Sequence, residues 1–315
     1  NIEFKNINKR KIMSKLRINF LGKELKNPVI TSSGCFGFGE EYNNYFDVDK
    51  LGAVNLKGIT LKKRDGNKGI RIAETPSGMI NSIGLENPGI EYFRDNIIGN
   101  LKYKTPIILN INGESEEEYI AVAEIANEIE RVDFIELNIS CPNVKNGGMA
   151  FGINCKTAEN LTKSVKKVLT KKPLIVKLSP NVTDITEIAK SVESAGADAV
   201  SLVNTFLAMK IDTKTKKPLL GNIFGGLSGG CIMPIAVRMV YQVFKSVQIP
   251  IIGMGGIENF NDALEFIMAG ASLISIGSGI FSNPILPIEV INGIENYLKE
   301  NNIKDINELI GIAHK

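Results

Sequence analysis

The stretch AGADAVSLV, at residues 195–203, has the same form as AGASLISIG, at residues 269–277. Each begins with a turn of small residues around a glycine and continues as a short apolar run. Gly196 and Gly270 stand where amphipathic helical stretches stop, and glycine is common just past the end of a helix. A helix-to-strand turn that is used twice predicts a chain in which helices and strands alternate.

Short apolar runs recur along the whole chain, and most are continuous rather than alternating, as in parallel strands covered on both faces. Amphipathic helical stretches lie between them, with Asp184 and Asn259 as predicted N-caps. Eight strands, each followed by a helix, predict an α/β fold of the (β/α)8 TIM-barrel type. The predicted strands are 28–31, 53–57, 106–111, 133–139, 173–178, 198–203, 249–254 and 272–277. The predicted helices are 115–130, 157–170, 184–196, 233–247 and 259–270.

The domain organisation follows from the barrel. RINFLGKELKNPV, at 17–29, predicts an N-terminal β-hairpin before the first barrel strand. Residues 18–315 then form a single barrel domain, because α/β barrels of about 250 residues are one unit. Residues 1–17 carry six Lys or Arg and one acid, which predicts a solvated basic N-terminal extension.

Composition excludes several classes of function. A net charge of +3 is too small to indicate nucleic-acid binding, and no apolar run is long enough to span a membrane. The cysteines Cys35, Cys141, Cys155 and Cys231 show no C-x-x-C spacing, which argues against a metal site and indicates a cytoplasmic protein. His314 is the sole histidine, so a histidine-based nucleophile is excluded.

Long loops follow the second, fourth and sixth predicted strands, at 58–91, 141–156 and 204–232. All three therefore open onto the C-terminal face of the barrel, where such barrels place their active sites. Cys141 begins one of these loops.

Two glycine-rich loops follow the last two strands, GMGGIEN at 253–259 and IGSGIFSNP at 276–284. Barrels of this type commonly bind a phosphate between these loops, because glycine lets backbone N–H groups approach phosphate oxygens. The alternative is that both loops are ordinary tight turns.

Polar residues end several otherwise apolar strands, where they are costly unless paired. Two lysines among amides indicate a ligand with a flat polar ring. Flavin mononucleotide (FMN) fits a phosphate loop beside such a ring site, and pyridoxal phosphate on either lysine is the weaker alternative. The residues are Ser33, Lys57, Asn110, Asn138, Lys177, Asn204 and Thr205.

The motifs together resemble the dihydroorotate dehydrogenase family over residues 18–290. They are NPVITSSGCFGFGEEY, KGIT, NSIGLENPG, ELNISCPNVKNGGMAFG, KLSPN, VNT, GGLSGG, GMGGI and IGSG, in the family's order. NISCPNVKNGGMAFG and GFGEEY are similar to class 1B, whose members are NAD-linked and work with a second subunit.

The resemblance implies FMN-dependent oxidation of (S)-dihydroorotate to orotate in pyrimidine (UMP) biosynthesis, by an FMN-binding barrel domain at 18–315. Cys141 would be the base that removes the C5 proton, and hydride from C6 would pass to flavin N5. Electrons would reach NAD through a partner subunit that carries FAD and a [2Fe–2S] cluster, in a heterotetramer of two plus two chains.

The resemblance also implies residue roles. Cofactor-binding residues would be Ser33, Lys57, Gly58, Asn110, Asn138, Lys177, Val203, Gly229, Gly255, Gly256, Gly277 and Ser278. Substrate-binding residues would be Lys57, Asn81, Ser82, Ile83, Gly84, Leu85, Asn138, Asn143, Asn204 and Thr205. FGINCKT, at 151–157, departs from the family's usual form, which predicts a structural role for Cys155.

Three alternatives stay open at this point. A class 1A enzyme would perform the same chemistry as a homodimer with fumarate as acceptor. A non-catalytic barrel would bind FMN or phosphate only. A dihydropyrimidine dehydrogenase domain would also use a loop cysteine, but that enzyme carries iron–sulfur cysteine motifs that this chain lacks.

Overall fold

The computed structural model describes residues 15–140 and 149–315, and its centre is a barrel of parallel strands. The strands are β1 (Ile18–Phe20), β2 (Lys23–Leu25), β3 (Val29–Thr31), β4 (Val54–Asn55), β5 (Ile72–Thr75), β6 (Gly78–Asn81), β7 (Ile107–Ile111), β8 (Phe134–Asn138), β9 (Leu174–Lys177), β10 (Ala199–Leu202), β11 (Phe206–Met209), β12 (Ile211–Asp212), β13 (Lys217–Pro218), β14 (Phe224–Ser228), β15 (Ile251–Met254) and β16 (Leu273–Ile276). The α-helices are α1 (Ile90–Tyr92), α2 (Glu116–Glu128), α3 (Met149–Gly152), α4 (Cys155–Val168), α5 (Ile185–Ser194), α6 (Met233–Phe244), α7 (Phe260–Ala269), α8 (Gly279–Ser282) and α9 (Leu286–Glu300).

The barrel sheet has the strand order β3-β16-β15-β10-β9-β8-β7-β4. A parallel bridge between Ile30 and Ala53 joins its two edge strands and closes it. The predicted (β/α)8 TIM barrel is therefore confirmed, and each predicted barrel strand agrees with the observed one to within two residues at both ends. The barrel strands are buried throughout. Burial on both faces explains why their apolar runs are continuous.

Both predicted N-caps are confirmed. Asp184 Oδ1 accepts a hydrogen bond from the Thr186 N–H at 2.8 Å, so this residue caps α5. Asn259 Oδ1 accepts one from the Asn261 N–H at 2.9 Å and caps α7. The five predicted helices correspond to α2, α4, α5, α6 and α7. Across 15–140 and 149–315, no helix has the length and apolar character needed to cross a bilayer.

The prediction that a helix follows every strand is wrong for β3 and β4. After β3, Gly39 has a left-handed φ of 87° and opens a short 3-10 turn instead of a regular helix. The rings of Phe36 and Tyr42 stack there with centroids 4.3 Å apart, so aromatic side chains fill the space that a helix would cover. After β4 comes the long loop, and then α1 runs on as irregular helical turns. The segments after β3 are 3-10 turns at Glu40–Asn44 and Val48–Lys50. Those after β4 are a π turn at Phe93–Ile97 and a 3-10 turn at Ile98–Asn100.

Two of the long loops predicted at the C-terminal face contain a second sheet that was not predicted. It is antiparallel, with strand order β11-β14-β6-β5. β5 and β6 come from the loop after β4, whereas β11 and β14 come from the loop after β10. Because β6 pairs with β14 across more than a hundred residues of sequence, no local pattern indicates the pairing. The sheet covers one side of the barrel mouth.

The predicted N-terminal hairpin is confirmed as β1 and β2, paired from Ile18–Leu25 to Phe20–Lys23. Within the predicted extension, the Lys15 N–H donates to the Lys304 carbonyl at 2.8 Å, which ties this residue to the C-terminal segment. The domain boundary at residue 17 stays a prediction.

A buried carboxylate lies inside the barrel. Glu136, in β8, is fully buried. Its Oε2 accepts hydrogen bonds from Asn55 Nδ2 at 2.7 Å and Asn110 Nδ2 at 2.6 Å, and its Oε1 accepts one from Ser201 Oγ at 2.7 Å. The three donors stand on β4, β7 and β10, so one side chain links four strands across the barrel interior.

Candidate active site

A cavity of about 430 Å³ lies between the C-terminal ends of the barrel strands and the second sheet. It occupies the face at which the long loops were predicted to meet. Most of the predicted site residues line it, although they come from distant parts of the sequence. These are Ser33, Lys57, Gly58, Asn81, Ile83, Gly84, Leu85, Asn110, Asn138, Lys177, Val203, Asn204, Thr205, Gly255, Gly256, Gly277 and Ser278.

Four predicted site residues are not among the lining residues. Ser82 is fully buried beside the cavity, and its hydroxyl has no hydrogen-bond partner within the described chain. Gly229 lies behind the first glycine loop, where its carbonyl oxygen would be 2.7 Å from a Cβ on Gly256. Cys141 and Asn143 lie outside the described residues.

The cavity also has lining residues that the sequence did not reveal, among them Cys35, Arg71, Glu86 and Phe281. Arg71 and Glu86 form an ion pair at 2.6 Å near the mouth. Both lie in the loop after β4, which folds back through the second sheet, so no spacing rule relates them. Burial raises the pKa of the Cys35 thiol to about 11, although Lys177 and Lys57 oppose the shift. Cys35 is therefore a thiol, not a thiolate, at neutral pH.

Two lysines dominate the electrostatics of the cavity. Lys177 is 4% exposed, and Lys57 is partly buried. Burial lowers the pKa of Lys57; Glu86 and Cys35 oppose this shift, and Arg71 adds to it. Within residues 15–140 and 149–315, neither ammonium group forms an ion pair or a side-chain hydrogen bond. Since buried charges require partners, the cavity is built for an anionic or strongly hydrogen-bonding ligand.

A chain of amides forms the polar floor of the cavity. Asn138 Nδ2 donates to Asn110 Oδ1 at 3.4 Å, and Ser140 Oγ is 2.9 Å from Asn138 Oδ1. Asn204 Nδ2 donates to Ser140 Oγ at 2.7 Å, and the Thr205 N–H donates to Asn204 Oδ1 at 2.8 Å. The amides predicted from strand ends thus form one connected network.

The two glycine loops form a cradle of backbone donors. Gly255 and Gly256 have φ values of 125° and 79°, which side chains other than glycine rarely adopt. The N–H groups of Gly255, Gly256, Gly277 and Ser278 donate to no acceptor in the described parts of the chain. Backbone N–H groups that converge on a cavity bind anions such as phosphate.

Gly58 shows how closely the cavity wall is packed. A Cβ at this position would lie 2.6 Å from Asn112 Nδ2 and 2.7 Å from Asn110 Oδ1. Any side chain here would displace the Asn110 amide from the wall. Glycine at this position therefore preserves the position of the Asn110 amide in the cavity wall.

Comparison with known proteins gives a consistent result. The sequence profile of the dihydroorotate dehydrogenase family matches residues 15–298. A Brachyspira hyodysenteriae protein named dihydroorotate dehydrogenase B (NAD(+)), catalytic subunit, is 82% identical over 302 residues, which cover 96% of this chain and 100% of that protein. Proteins of the same name from Bacteroides thetaiotaomicron and Caldicellulosiruptor bescii are 51% and 54% identical; they cover 95% and 94% of this chain, and the matches span 99% and 98% of those proteins.

A solved structure shares the fold. It is described as the crystal structure of DHODH in complex with ferulenol from Eimeria tenella, and it matches with a TM-score of 0.81. The match covers 98% of this chain and 90% of that chain at 22% identity. At this identity the likeness concerns the barrel architecture.

The unpaired charge of Lys57 predicts a stability cost in the ligand-free chain. We expect Lys57→Met to raise the free energy of unfolding at pH 7 by roughly 0.5–2 kcal/mol, because burial penalises the ammonium in the folded state. Wild-type stability should also rise as the pH increases through the lowered folded pKa, since the unfolded chain then binds more protons than the folded one. Urea unfolding between pH 7 and 10 measures both effects.

The control for this measurement is Lys63→Met. Lys63 is exposed and pairs with Asp65 at 2.9 Å, so its replacement should leave the free energy of unfolding nearly unchanged. If Lys57→Met instead lowered the free energy of unfolding, by as much as Lys63→Met or more, the Lys57 ammonium would have a partner that stabilises it.

Proposed function

The chain belongs to the dihydroorotate dehydrogenase family, and we propose that it is the NAD-linked catalytic subunit that oxidises (S)-dihydroorotate to orotate in pyrimidine (UMP) biosynthesis. The observation that carries the proposal is the cavity floor, where two lysines without carboxylate partners among the described residues stand beside a network of amides. A pyrimidine ring that carries a carboxylate has both the negative charge and the hydrogen-bonding groups that such a floor requires.

We propose FMN as the flavin of this cavity. The N–H groups of Gly255, Gly256, Gly277 and Ser278, which have no acceptor in the part of the chain that the structure describes, would bind its terminal phosphate, and Gly58 leaves the wall open beside Asn110. FMN, when bound, supplies the acceptor for the hydride that leaves C6 of the substrate. The residues proposed to hold it are Ser33, Lys57, Gly58, Asn110, Asn138, Lys177, Val203, Gly229, Gly255, Gly256, Gly277 and Ser278.

The chain's own residues would bind the substrate and move its proton. Lys57 would contact both the flavin and the substrate, and its ammonium would stabilise negative charge that develops nearby. The other residues proposed to bind the substrate are Asn81, Ser82, Ile83, Gly84, Leu85, Asn138, Asn143, Asn204 and Thr205. Their hydrogen bonds would orient the ring so that C5 faces the base and C6 faces the flavin.

Cys141 is proposed as the base that takes the proton from C5. Its role rests on the motif that contains it and on the environment of Ser140, which directly precedes it in the sequence. Ser140 is held by Asn138 and Asn204, so the described chain is well fixed up to this point. Cys35 lines the same cavity, but its pKa of about 11 makes it a poor base at neutral pH.

The relatives' name, catalytic subunit, implies a separate subunit that passes electrons to NAD. We propose that the partner carries FAD and a [2Fe–2S] cluster and that two copies of each chain form a heterotetramer. The cytoplasmic location, inferred from the free cysteines, stays a prediction. The class 1A alternative would need no partner and would use fumarate.

The cofactor prediction is tested by its release. The purified protein is expected to be yellow, and denaturation should free FMN rather than FAD, because the cradle of four N–H groups, unpaired within 15–140 and 149–315, suits one terminal phosphate. Chromatography of the released flavin, at one equivalent per chain, is the measurement. A colourless protein that FMN fails to reconstitute contradicts the proposal.

The base is tested by Cys141→Ala. Flavin reduction by dihydroorotate should slow by roughly 10²–10⁴-fold, the usual contribution of a general base, while FMN stays bound. In the wild type the reductive step should speed up as the pH rises toward about 8.5, the ordinary pKa of a thiol. Stopped-flow absorbance gives both rates, with Cys155→Ala as the control that should retain the wild-type rate. Wild-type flavin reduction in Cys141→Ala would assign the base to another residue.

The acceptor prediction concerns electron exit. The FMN-loaded chain alone is expected to reduce artificial dyes but to form NADH slowly, because no strand-flanked dinucleotide-binding motif is present in its sequence. Adding the partner subunit should restore NADH formation without changing the rate of flavin reduction. Brisk NADH formation by the chain alone contradicts the two-subunit proposal, and rapid fumarate reduction supports the class 1A alternative.

A further inference from the structure

The hydrogen bonds of the cavity floor all run in one direction. From Thr205 N–H the donors pass to Asn204, Ser140, Asn138 and Asn110, and the last amide donates to Glu136. We call this series, from Thr205 N–H to the Glu136 carboxylate, the amide relay. Its two ends differ in position: Asn204 and Thr205 line the cavity, whereas Glu136 lies fully buried inside the barrel.

Groups whose polarity cannot be reversed set this direction. A backbone N–H can only donate, so Thr205 N–H requires the oxygen of Asn204, and Ser140 N–H, at 3.1 Å, requires the oxygen of Asn138. Both side-chain oxygens of Glu136 accept, Oε2 from Asn55 and Asn110 and Oε1 from Ser201, so Glu136 requires the NH2 group of Asn110. Each of the three amides therefore has one allowed orientation.

The orientation has a consequence for the ligand. Asn138 Oδ1 accepts from both the N–H and the Oγ of Ser140, so its oxygen is fully used within the protein. Asn138 Nδ2 and Asn204 Nδ2 each donate one hydrogen to the relay, and the second hydrogen of each has no acceptor among residues 15–140 and 149–315. The floor thus presents N–H donors, which match ligand carbonyl and carboxylate oxygens rather than ligand N–H groups.

We propose that Ser140 and Glu136, neither of which lines the cavity, are positioning residues that orient Asn138 and Asn204 as donors to the carbonyl and carboxylate oxygens of the substrate. The inference rests on the proposed function. Ser140 is the only link between Asn204 and the rest of the relay among the described residues. The main chain two residues before Ser140 is also fixed, because the Tyr119 hydroxyl donates to the Asn138 carbonyl at 2.7 Å.

The direct test is Ser140→Ala in the FMN-loaded protein. Loss of the hydroxyl removes the acceptor of Asn204 Nδ2, and we expect the Kd of orotate and the KM of dihydroorotate to rise about tenfold, as for the loss of one oriented hydrogen bond. The limiting rate of flavin reduction should change by less than about threefold. Calorimetric titration with orotate gives the Kd, and stopped-flow kinetics separates KM from the limiting rate.

The matched control is Ser201→Ala. Ser201 is as deeply buried as Ser140. Its hydroxyl donates to Glu136 at 2.7 Å, but Ser201 is not a member of the relay. It should leave orotate binding within about threefold of the wild type. Equal losses of affinity in Ser140→Ala and Ser201→Ala would mean a general packing effect and would overturn the proposal. A fall in limiting rate with unchanged Kd would overturn it too, because Ser140 would then act on Cys141 instead.

Glu136 is tested with two variants of similar shape. Glu136→Gln keeps an oxygen for Asn110, since the Ser201 hydroxyl can accept from the new amide, and should bind orotate nearly as the wild type does. Glu136→Met has no acceptor and should weaken orotate binding about tenfold or more. Equal affinities of a folded Glu136→Met and Glu136→Gln would overturn the role of Glu136, and if the Met variant fails to fold, Ser140→Ala decides.

The wild-type arm separates this inference from the proposed function. A wild-type protein that neither binds orotate nor oxidises dihydroorotate refutes the function. A wild type that does both, with Ser140→Ala indistinguishable from it, refutes only the relay.

Discussion

A single buried carboxylate, that of Glu136, constrains both the barrel and the cavity above it. Polar groups are costly inside a protein unless they are hydrogen-bonded, and here donors from three other strands bind this one. The same hydrogen bonds fix the orientation of the Asn110 side-chain amide. Because alternate residues of a strand point to one side, Glu136 and Asn138 both face inward, one layer apart. The barrel interior therefore determines the polarity of the floor on which a ligand would rest.

The lysines illustrate the opposite situation. Lys177 is almost fully buried and Lys57 partly so, yet neither has a carboxylate partner in the described chain. A ligand that brings negative charge and acceptor oxygens would supply the missing interactions and would stabilise the folded state by binding it selectively. The glycine loops act in the same way, since Gly255 and Gly256 have positive φ values and their N–H groups have no acceptor among the described residues. The ligand-free site is thus less stable than a packed core would be.

Much of the cavity could be predicted from sequence because the barrel rule is strong. Once the strands are located, the carboxyl ends of parallel strands must meet at one face, so Lys57, Asn138 and Lys177 could be placed together. Arg71 and Glu86 could not, because they reach the cavity through a sheet that joins two distant loops. Cys35 could not be placed there either, because its position on the cavity wall depends on the turn after β3.

The sequence by itself determined the order of the barrel strands, the barrel, the two glycine-rich loops and the family, because each depends on local periodicity or on short contiguous motifs. The tertiary structure alone decided the pairing of β6 with β14, the loss of regular helices after β3 and β4, and the direction of the hydrogen bonds among Asn110, Asn138 and Asn204. The sequence shows that a residue is asparagine but does not show which way its side-chain amide is oriented. Only fixed donors and acceptors brought from distant strands select one orientation, and they meet only in the folded chain.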